Sequence, residues 1–314
     1  MNILYIVVPC YNEEEVLPET ASRLRKKAEA LLAGGKISDK SRIVFVNDGS
    51  SDKTWEIITG LHGESELFCG INLSRNRGHQ NALLAGLMAV RGAADMVISM
   101  DADLQDDIDA IDRMIDEYLG GCDVVYGVRA KRERDSFFKR FTAEGYYKLL
   151  KALGCDIVFN HADYRLLSAK ALDALAEYGE GNLFLRGIIP MLGYKTSTVT
   201  YARGERFAGE SKYPLKKMLS LAADGAFSLS LKPIRLVTGA GFILLLLAAV
   251  LFVFSVVRAF MGYSMLNWKI ITISVWAVGG ALLIALGLIG EYAGRAYMET
   301  KKRPRYTISE RIGL

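Results

Sequence analysis

Two long apolar runs in the last quarter of the chain constrain its fold more than any other feature of the sequence. Residues 236–257 form a run of 22 residues without a charged side chain, and residues 270–290 form a second run of 21. About 20 apolar residues in a helix cross the roughly 30 Å hydrocarbon core of a membrane. Buried core helices are the alternative, but these seldom run so long without a polar face. The sequence therefore predicts two transmembrane helices, at 236–257 and 270–290.

The charges around these runs predict their orientation. Between the runs, only Arg258 and Lys269 are charged. The basic residues outside the pair are Lys232, Arg235, Arg295, Lys301, Lys302, Arg303 and Arg305. Lysine and arginine favour the cytoplasmic side, so we expect a multi-pass protein of the cell (inner or plasma) membrane with its N-terminal domain and both termini in the cytoplasm. Small residues within the runs permit close helix packing, and so the formation of a homo-oligomer.

The remaining composition is that of a folded globular domain. About 235 residues precede the apolar runs, enough for one α/β domain with a sizeable core. Overall, 51% of the 314 residues are apolar and 24% are charged, which excludes a disordered chain, a collagen-like fibre and a disulfide scaffold. The four cysteines stand alone, a spacing that argues against a zinc site. A dispersed net charge of +4 gives no indication of nucleic-acid binding.

Strand-like and helix-like segments alternate through this domain. Short apolar runs predict strands at 3–8, 43–47, 69–73, 96–100 and 123–126. Helical spacing of apolar residues predicts helices between them, for example at 14–33, 52–61 and 79–91. Such alternation predicts an α/β fold: a mostly parallel, Rossmann-like sheet with helices on both faces. Ligands of such sheets bind outside the carboxyl ends of the strands.

Polar clusters follow four of the predicted strands, at 9–13, 48–52, 74–78 and 101–106. In the last cluster, Asp101 and Asp103 point the same way if the chain stays extended, because strand side chains alternate. Two neighbouring carboxylates repel unless a cation lies between them, and oxygen ligands favour Mg²⁺ or Mn²⁺. The alternative for an Asp-x-Asp pair is a solvated turn. His62, His79 and His161 show neither metal-site nor catalytic-triad spacing, and we assign them no chemistry.

Together these clusters resemble the family 2 glycosyltransferases, which have the GT-A fold. The segments that carry the resemblance are 8–13 (VPCYNE), 46–52 (VNDGSSD), 72–78 (NLSRNRG) and 101–105 (DADLQ). Segments 163–168 (DYRLLS), 203–206 (RGER) and 209–213 (GESKY), followed by two apolar runs, resemble the polyprenyl-phosphate glycosyltransferase branch. That branch includes dolichol-phosphate mannose synthases and bacterial bactoprenol (undecaprenyl-phosphate) glucosyltransferases. The resemblance covers essentially the whole chain.

The resemblance implies a nucleotide-diphosphate sugar, most simply a UDP-sugar, in the first half of the site. The residues it implies around the nucleotide are Pro9, Tyr11 and Glu13 at the nucleoside, Asp48 on the base, Arg75 near the nucleotide and Asp101 near the ribose. Asp101, Asp103 and Gln105 would hold Mg²⁺ or Mn²⁺. Alternatives stay open: Pro9 and Tyr11 as a strand-end turn, Asp48 as a turn with a helix N-cap, and Arg75 as a surface charge.

The resemblance implies a polyprenyl-phosphate acceptor in the second half of the site, with Asp163 as the catalytic base. A phosphate monoester has a second pKa near 6, so the acceptor is already largely ionised at pH 7. Asp163 therefore orients the acceptor or engages an arginine as much as it accepts a proton. The residues implied for the lipid phosphate or the departing diphosphate are Arg129, Arg203, Arg206, Ser211 and Lys212. The alternative for each basic residue is a solvated surface charge.

These expectations divide the chain into a catalytic domain (1–213), an interfacial juxtamembrane helix (214–235), the two spans and a cytoplasmic tail (291–314). Amphipathic stretches with basic residues, within 137–153 and 215–222, fit the lipid headgroup layer. Their alternative is a pair of amphipathic helices that cover the sheet.

The expected reaction is metal-dependent, inverting transfer of glucose or a related hexose from the nucleotide to undecaprenyl phosphate, which gives a lipid-linked monosaccharide. One rival is a processive polysaccharide synthase, but the Gln-x-x-Arg-Trp motif of such enzymes is missing from this sequence. A second rival is a nucleotide-binding membrane scaffold without turnover, which the intact Asp101 and Asp103 pair disfavours.

Overall fold

A computed structural model describes residues 1–130, 161–179, 185–202 and 268–314, together with Val250, Val253, Val257, Phe260 and Met261. Several predictions fall outside these residues. They are the juxtamembrane helix 214–235, the two amphipathic stretches, and most of the first predicted span.

Eight strands and seven helices are described. The strands are β1 (Leu4–Cys10), β2 (Arg42–Asn47), β3 (Phe68–Leu73), β4 (Met96–Ser99), β5 (Val124–Arg129), β6 (His161–Ser168), β7 (Thr196–Tyr201) and β8 (Ile308–Ile312). The helices are α1 (Leu17–Ala33), α2 (Thr54–Glu64), α3 (His79–Ala89), α4 (Ala110–Leu119), α5 (Ala169–Ala176), α6 (Leu185–Met191) and α7 (Trp268–Thr300). The five predicted strands and three predicted helices are confirmed, with ends that differ by a few residues.

All eight strands form one sheet in the order β7-β5-β6-β4-β1-β2-β3-β8. The pairs β1–β2, β2–β3, β1–β4 and β5–β7 are parallel. The pairs β4–β6, β5–β6 and β3–β8 are antiparallel. The predicted α/β fold with a mostly parallel sheet is confirmed, and the antiparallel strands are features that the sequence did not predict.

The core has two layers, one on each face of the sheet. Along β1, Ile6 and Val8 pack with α1, α2 and α4, whereas Val7 packs with α3, α5 and α6 on the opposite face. This division follows from the period of two in a strand, which sends successive side chains to opposite faces. It also explains why β1 is apolar throughout, since both of its faces are buried.

Helix α3 lies unusually close to the sheet. A Cβ atom at Gly86 would come within 2.4 Å of Val7 Cγ1 and 2.7 Å of Val46 Cγ2. Only glycine therefore permits this approach of the helix to β1 and β2. The approach fixes the position of α3, and its first residue, His79, lies at the carboxyl-end edge of the sheet.

Strand β6 brings a distant part of the chain to the same edge. It runs antiparallel to β4, with Ser99 opposite Arg165. Continuing this register places Asp163 beside the residues that follow β4. The Ser99 hydroxyl also donates a hydrogen bond to the Asp163 carbonyl oxygen (2.7 Å), which fixes the start of β6 against the end of β4.

The last residues differ from the expected tail. Helix α7 extends to Thr300, and residues Ile308–Ile312 form β8 at the sheet edge, where Ser74 N donates to Thr307 O (2.9 Å). Within the described residues, the structure contains no helix with both the length and the apolar content that a membrane crossing requires. The two predicted spans stay predictions.

Candidate active site

Two loops at the carboxyl ends of β2 and β3 are fastened together by Asp48. Its carboxylate oxygens accept hydrogen bonds from the backbone N–H groups of Arg77 (2.7 Å) and Gly78 (2.9 Å), and its side chain is buried. Gly49 makes the approach possible, because its φ is +62° and a Cβ atom there would lie 2.5 Å from the Arg75 carbonyl carbon. Asp48 thus has a structural role at a turn. It does not cap α2, where Asp52 accepts from Thr54 N instead (3.0 Å).

The residues predicted to surround the nucleoside line the end of β1. Pro9 is buried within β1, whereas Tyr11 lies just beyond it and is 39% exposed. Glu13 is held through its backbone, which donates to the Thr54 hydroxyl oxygen (3.0 Å). Arg75 is exposed on the loop that Asp48 fastens. Their predicted contacts with a nucleotide stay predictions, while Pro9 also fits the strand-end alternative.

The acidic cluster after β4 does not stay extended but forms a turn, in which exposure alternates from residue to residue. Asp101, Asp103 and Gln105 are half-buried, whereas Ala102 and Leu104 between them and Asp106 after them are buried. Helix α1 holds this segment in place, since the Thr20 hydroxyl donates a hydrogen bond to the Ala102 carbonyl oxygen (2.9 Å). Leu104 adopts a positive φ of +57°, so the segment turns after Asp103 instead of continuing as a strand.

The oxygen-bearing side chains after β4 have the chemistry of ligands for magnesium or manganese. Carboxylate and amide oxygens from Asp101, Asp103 and Gln105 are the hard ligands that these ions prefer. In the described part of the chain, no group of three or more His, Cys, Asp or Glu side chains could hold a metal by itself. Magnesium is commonly held by one or two carboxylates together with substrate phosphates, so two aspartates fit such an ion.

Asp106 is a further acidic residue at this edge. It accepts a hydrogen bond from the Tyr201 hydroxyl and lies 3.5 Å from the Arg129 guanidinium, which belongs to the end of β5. Burial and the negative charge of Asp101 raise the pKa of Asp106 to about 6, against the opposing effects of Tyr201 and Arg129. Arg129, which was predicted to contact phosphate, therefore also offsets the charge of a buried carboxylate.

Asp163, the predicted base, is buried between two arginines. Arg165 donates to its Oδ1, and Arg186 of α6 donates to both oxygens, at 3.2 and 3.0 Å. Burial by itself raises the pKa of the Asp163 carboxyl, but the positive charges of Arg186, Arg165 and His79 outweigh it and hold that pKa well below its usual value. The geometry favours the reading in which Asp163 engages arginine over the reading in which it accepts a proton.

His79 lies between the two halves of the site. Its Nε2 is 3.0 Å from Asp101 Oδ1, and its Nδ1 is 3.9 Å from Asp163 Oδ2. Burial lowers the pKa of His79, but the hydrogen bond and charge of Asp101, with the charge of Asp163, outweigh this effect and raise the pKa to about 9. The sequence assigned His79 no chemistry, whereas the structure places it in contact with Asp101 and near Asp163.

The structure thus brings Asp101, Asp163 and Arg129 to one edge. The predicted residues Arg203, Arg206, Ser211 and Lys212 lie outside the described residues. Sequence reasoning missed His79, Asp106 and Arg186. A signal existed for the first two, because His79 directly follows the polar cluster 74–78 and Asp106 ends the cluster 101–106. None existed for Arg186, which only the folding of α6 brings to Asp163.

Comparison with known proteins identifies the family. The model of glycosyl transferase family 2 matches residues 5–176. The chain is 47% identical to the uncharacterized glycosyltransferase YkoT of Bacillus subtilis, over 98% of this chain and 91% of that protein. It is 37% identical to the bactoprenol glucosyl transferase of Shigella phage SfX, over 98% of both chains. It is also similar to a solved structure, glucosyl-3-phosphoglycerate synthase from Mycobacterium tuberculosis (16% identity, TM-score 0.47, 73% of this chain and 77% of that one). The chain belongs to glycosyl transferase family 2.

Proposed function

We propose that this glycosyltransferase moves a hexose from a UDP-sugar to a polyprenyl phosphate, undecaprenyl phosphate in the first instance. The observation that carries the proposal is the 37% identity, over 98% of both chains, to a protein named for glucosyl transfer to bactoprenol. Because the similarity extends beyond the family 2 domain at 5–176, it includes the C-terminal part of the chain as well as the nucleotide-binding part.

On the donor side, the edge formed by β1, β2 and β4 is suited to a nucleotide diphosphate. Tyr11 is exposed there and can cover a base, while Asp101, Asp103 and Gln105 would hold Mg²⁺ or Mn²⁺. When bound, such an ion supplies positive charge beside the departing diphosphate. Charge develops on the leaving group during transfer, so fixed positive charge at that place lowers the barrier most.

On the acceptor side, the reaction is a direct displacement. An oxygen of the lipid phosphate attacks the anomeric carbon, the new C–O bond forms, and the bond to the nucleotide diphosphate breaks with its electron pair on the diphosphate oxygen. A single displacement inverts the configuration at that carbon. The acceptor phosphate is mostly ionised at pH 7, so no base has to remove a proton. Asp163 instead holds the guanidinium of Arg186, whose side chain is 31% exposed and can face a phosphate.

We also propose that the C-terminal part attaches the enzyme to the cell membrane. Large apolar side chains of α7 are exposed: Ile271, Val275, Val278, Leu282, Ile284, Leu286 and Ile289. After α7 the chain returns to the catalytic sheet as β8. If 270–290 crosses the membrane, the earlier run must cross as well, since the domain before the runs and β8 after them belong to one sheet. This supports a two-span hairpin with the catalytic domain and β8 on one side, which the basic residues flanking the runs predict to be the cytoplasmic side.

The test is transfer by the purified full-length protein. It is incubated with UDP- and GDP-linked hexoses, Mn²⁺ or Mg²⁺, and undecaprenyl phosphate in detergent. The expected product is a lipid-linked monosaccharide that forms only with a divalent cation. A polymer would indicate a processive synthase, and nucleotide binding without any product would indicate a scaffold; either result would overturn the proposal.

A further inference from the structure

His79 occupies a position that the backbone fixes from both sides. It is the first residue of α3, directly after the loop that the Asp48 carboxylate holds through Arg77 and Gly78. Behind it, the close approach at Gly86 leaves α3 no room to shift toward the sheet. The imidazole therefore projects from a rigid support and not from a mobile loop.

The imidazole lies between two carboxylates that belong to different halves of the site. On the donor side, Nε2 is 3.0 Å from Asp101 Oδ1, a hydrogen-bond distance. On the acceptor side, Nδ1 is 3.9 Å from Asp163 Oδ2, which is an ion-pair distance. Asp163 is itself immobilised by Arg165 and Arg186. A chain of contacts thus joins Asp101, through His79, to an arginine-bound carboxylate.

The contact with Asp101 requires only one N–H group. A neutral imidazole with its proton on Nε2 and a charged imidazolium can both donate to Asp101 Oδ1. Once Oδ1 is held, the plane of the carboxylate is set, and the direction of Oδ2 is set with it. Partners of this kind, behind a ligand, commonly change metal affinity or activity about 10- to 100-fold when removed.

We propose that His79 is a positioning residue. It orients the Asp101 carboxylate toward the nucleotide-bound cation and holds that carboxylate in a fixed position relative to Asp163 and its two arginines. The inference rests on the proposed function, in which Asp101 serves the donor nucleotide. It assigns His79 no contact with substrate. His79 acts only through Asp101. Removal of the Nε2–H donor should therefore weaken cation binding more than it weakens binding of the acceptor.

The test compares His79→Ala, His79→Gln and His62→Gln in the full-length protein. Glutamine retains an N–H donor of similar reach, whereas alanine has none. His62 of α2 is a matched control, because its Nδ1 bonds the carbonyl oxygen of Phe68 in β3 (2.7 Å), away from the carboxylate edge. The first measurement is the Kd of Mn²⁺ in the presence of UDP, followed by electron paramagnetic resonance. The second is kcat and KM for UDP-glucose and undecaprenyl phosphate, with Tm as the check on folding.

We expect His79→Ala to raise the Mn²⁺ Kd and lower kcat by about 10- to 100-fold, with little change in KM for undecaprenyl phosphate. His79→Gln should restore most of the affinity, and His62→Gln should match the wild type. Wild-type Mn²⁺ affinity in the alanine variant would overturn the inference. So would an equal loss in the glutamine variant at unchanged Tm. If alanine prevents folding, the glutamine variant alone decides: retained affinity supports the inference, and lost affinity overturns it.

The Mn²⁺ measurement also separates this inference from the proposed function. If the wild type transfers no sugar but His79→Ala still weakens Mn²⁺ binding with UDP, the proposed acceptor reaction fails and the role of His79 stands. If the wild type transfers sugar and the alanine variant binds Mn²⁺ normally, the role of His79 fails and the proposed function stands.

Discussion

The two sides of the active-site edge contain the same side chain in opposite surroundings. On the donor side, Asp101 is 31% exposed and has His79 as its hydrogen-bond partner. On the acceptor side, Asp163 is only 10% exposed and lies against Arg165 and Arg186. The first carboxylate has one cationic partner and is partly open to solvent, whereas the second is enclosed by two guanidinium groups. The comparison teaches that surroundings, more than residue type, decide which aspartate stays accessible to a ligand and which organises arginines.

The largest effect should come from the donor side. Replacing Asp103 with Asn removes a proposed metal ligand but keeps its size, so transfer should fall at least about 100- to 1,000-fold, the loss typical of removing charge stabilisation from a leaving group. Product formation with Mn²⁺ and UDP-sugar measures it. Asp116→Asn, at an exposed position of α4, is the matched control and should keep full activity. Full activity of Asp103→Asn would contradict the donor half of the comparison.

On the acceptor side, Asp163→Asn should affect stability before chemistry. It leaves the buried guanidinium of Arg165 without its counter-charge, a change that typically costs about 3–5 kcal/mol of unfolding free energy. Because the folded-state pKa of Asp163 is depressed, the stabilising effect of its charge is present at pH 7 and is lost only at strongly acidic pH. Chemical unfolding at pH 7 measures the loss.

The pH profile of the same variant tests its chemical role. The residual kcat/KM should keep the wild-type shape, with an acid limb that follows the second pKa of the lipid phosphate, near 6. If Asp163 were a general base, the variant would lose about 100- to 10,000-fold and the acid limb would change. That result would contradict the conclusion that Asp163 organises arginines and does not accept a proton.

A smaller effect should follow from Gly49→Ala in the donor-side loop. The added Cβ would meet the backbone at Arg75, and alanine would be strained at φ +62°. We expect a loss of about 1–3 kcal/mol in stability and weaker UDP binding, because the loop that Asp48 fastens must shift. Gly60→Ala is the control, since nothing lies within 4 Å of its added Cβ in α2. Equal stability of the two variants would contradict the close loop contact.

The smallest effect should come from Asp106→Asn and should depend on pH. The folded-state pKa of Asp106, about 6, lies above the ordinary value of 3.8, so the folded protein loses stability as pH rises through about 6. Asparagine cannot ionise, so the variant should gain Tm relative to the wild type at pH 7.5 and not at pH 4. Thermal unfolding in EDTA measures this. An equal difference at both pH values would contradict a buried, ionising Asp106.

Much of the donor side was predictable because its signals are local. Strands β1 to β4 are continuous apolar runs, and each is followed at once by its polar cluster, so parallel pairing alone brings the clusters together. The exposure of Asp101, Asp103 and Gln105 does not follow from strand periodicity, because the chain turns at Leu104, whose φ is positive.

The acceptor side was less predictable because it depends on long-range pairing. Asp163 reaches Asp101 through the antiparallel register of β6 on β4, and Arg186 reaches Asp163 from α6. Nothing in the local pattern around Arg186 indicates that contact. The family resemblance pointed to Asp163 in a segment that also contains Arg165, but not to Arg186. Strand β8 was missed for the same reason, since Ile308–Ile312 is too short and polar to predict a strand until β3 offers an edge.

The most direct test of the donor-side claim is the anomalous scattering of Mn²⁺ in crystals of the full-length protein grown with UDP. The account predicts a manganese peak bonded to carboxylate oxygens of Asp101 and Asp103 and to the UDP diphosphate, with Asp163 still bound to its arginines. An empty Asp101–Asp103 edge in crystals that contain UDP, or manganese bound at Asp163 instead, would contradict it.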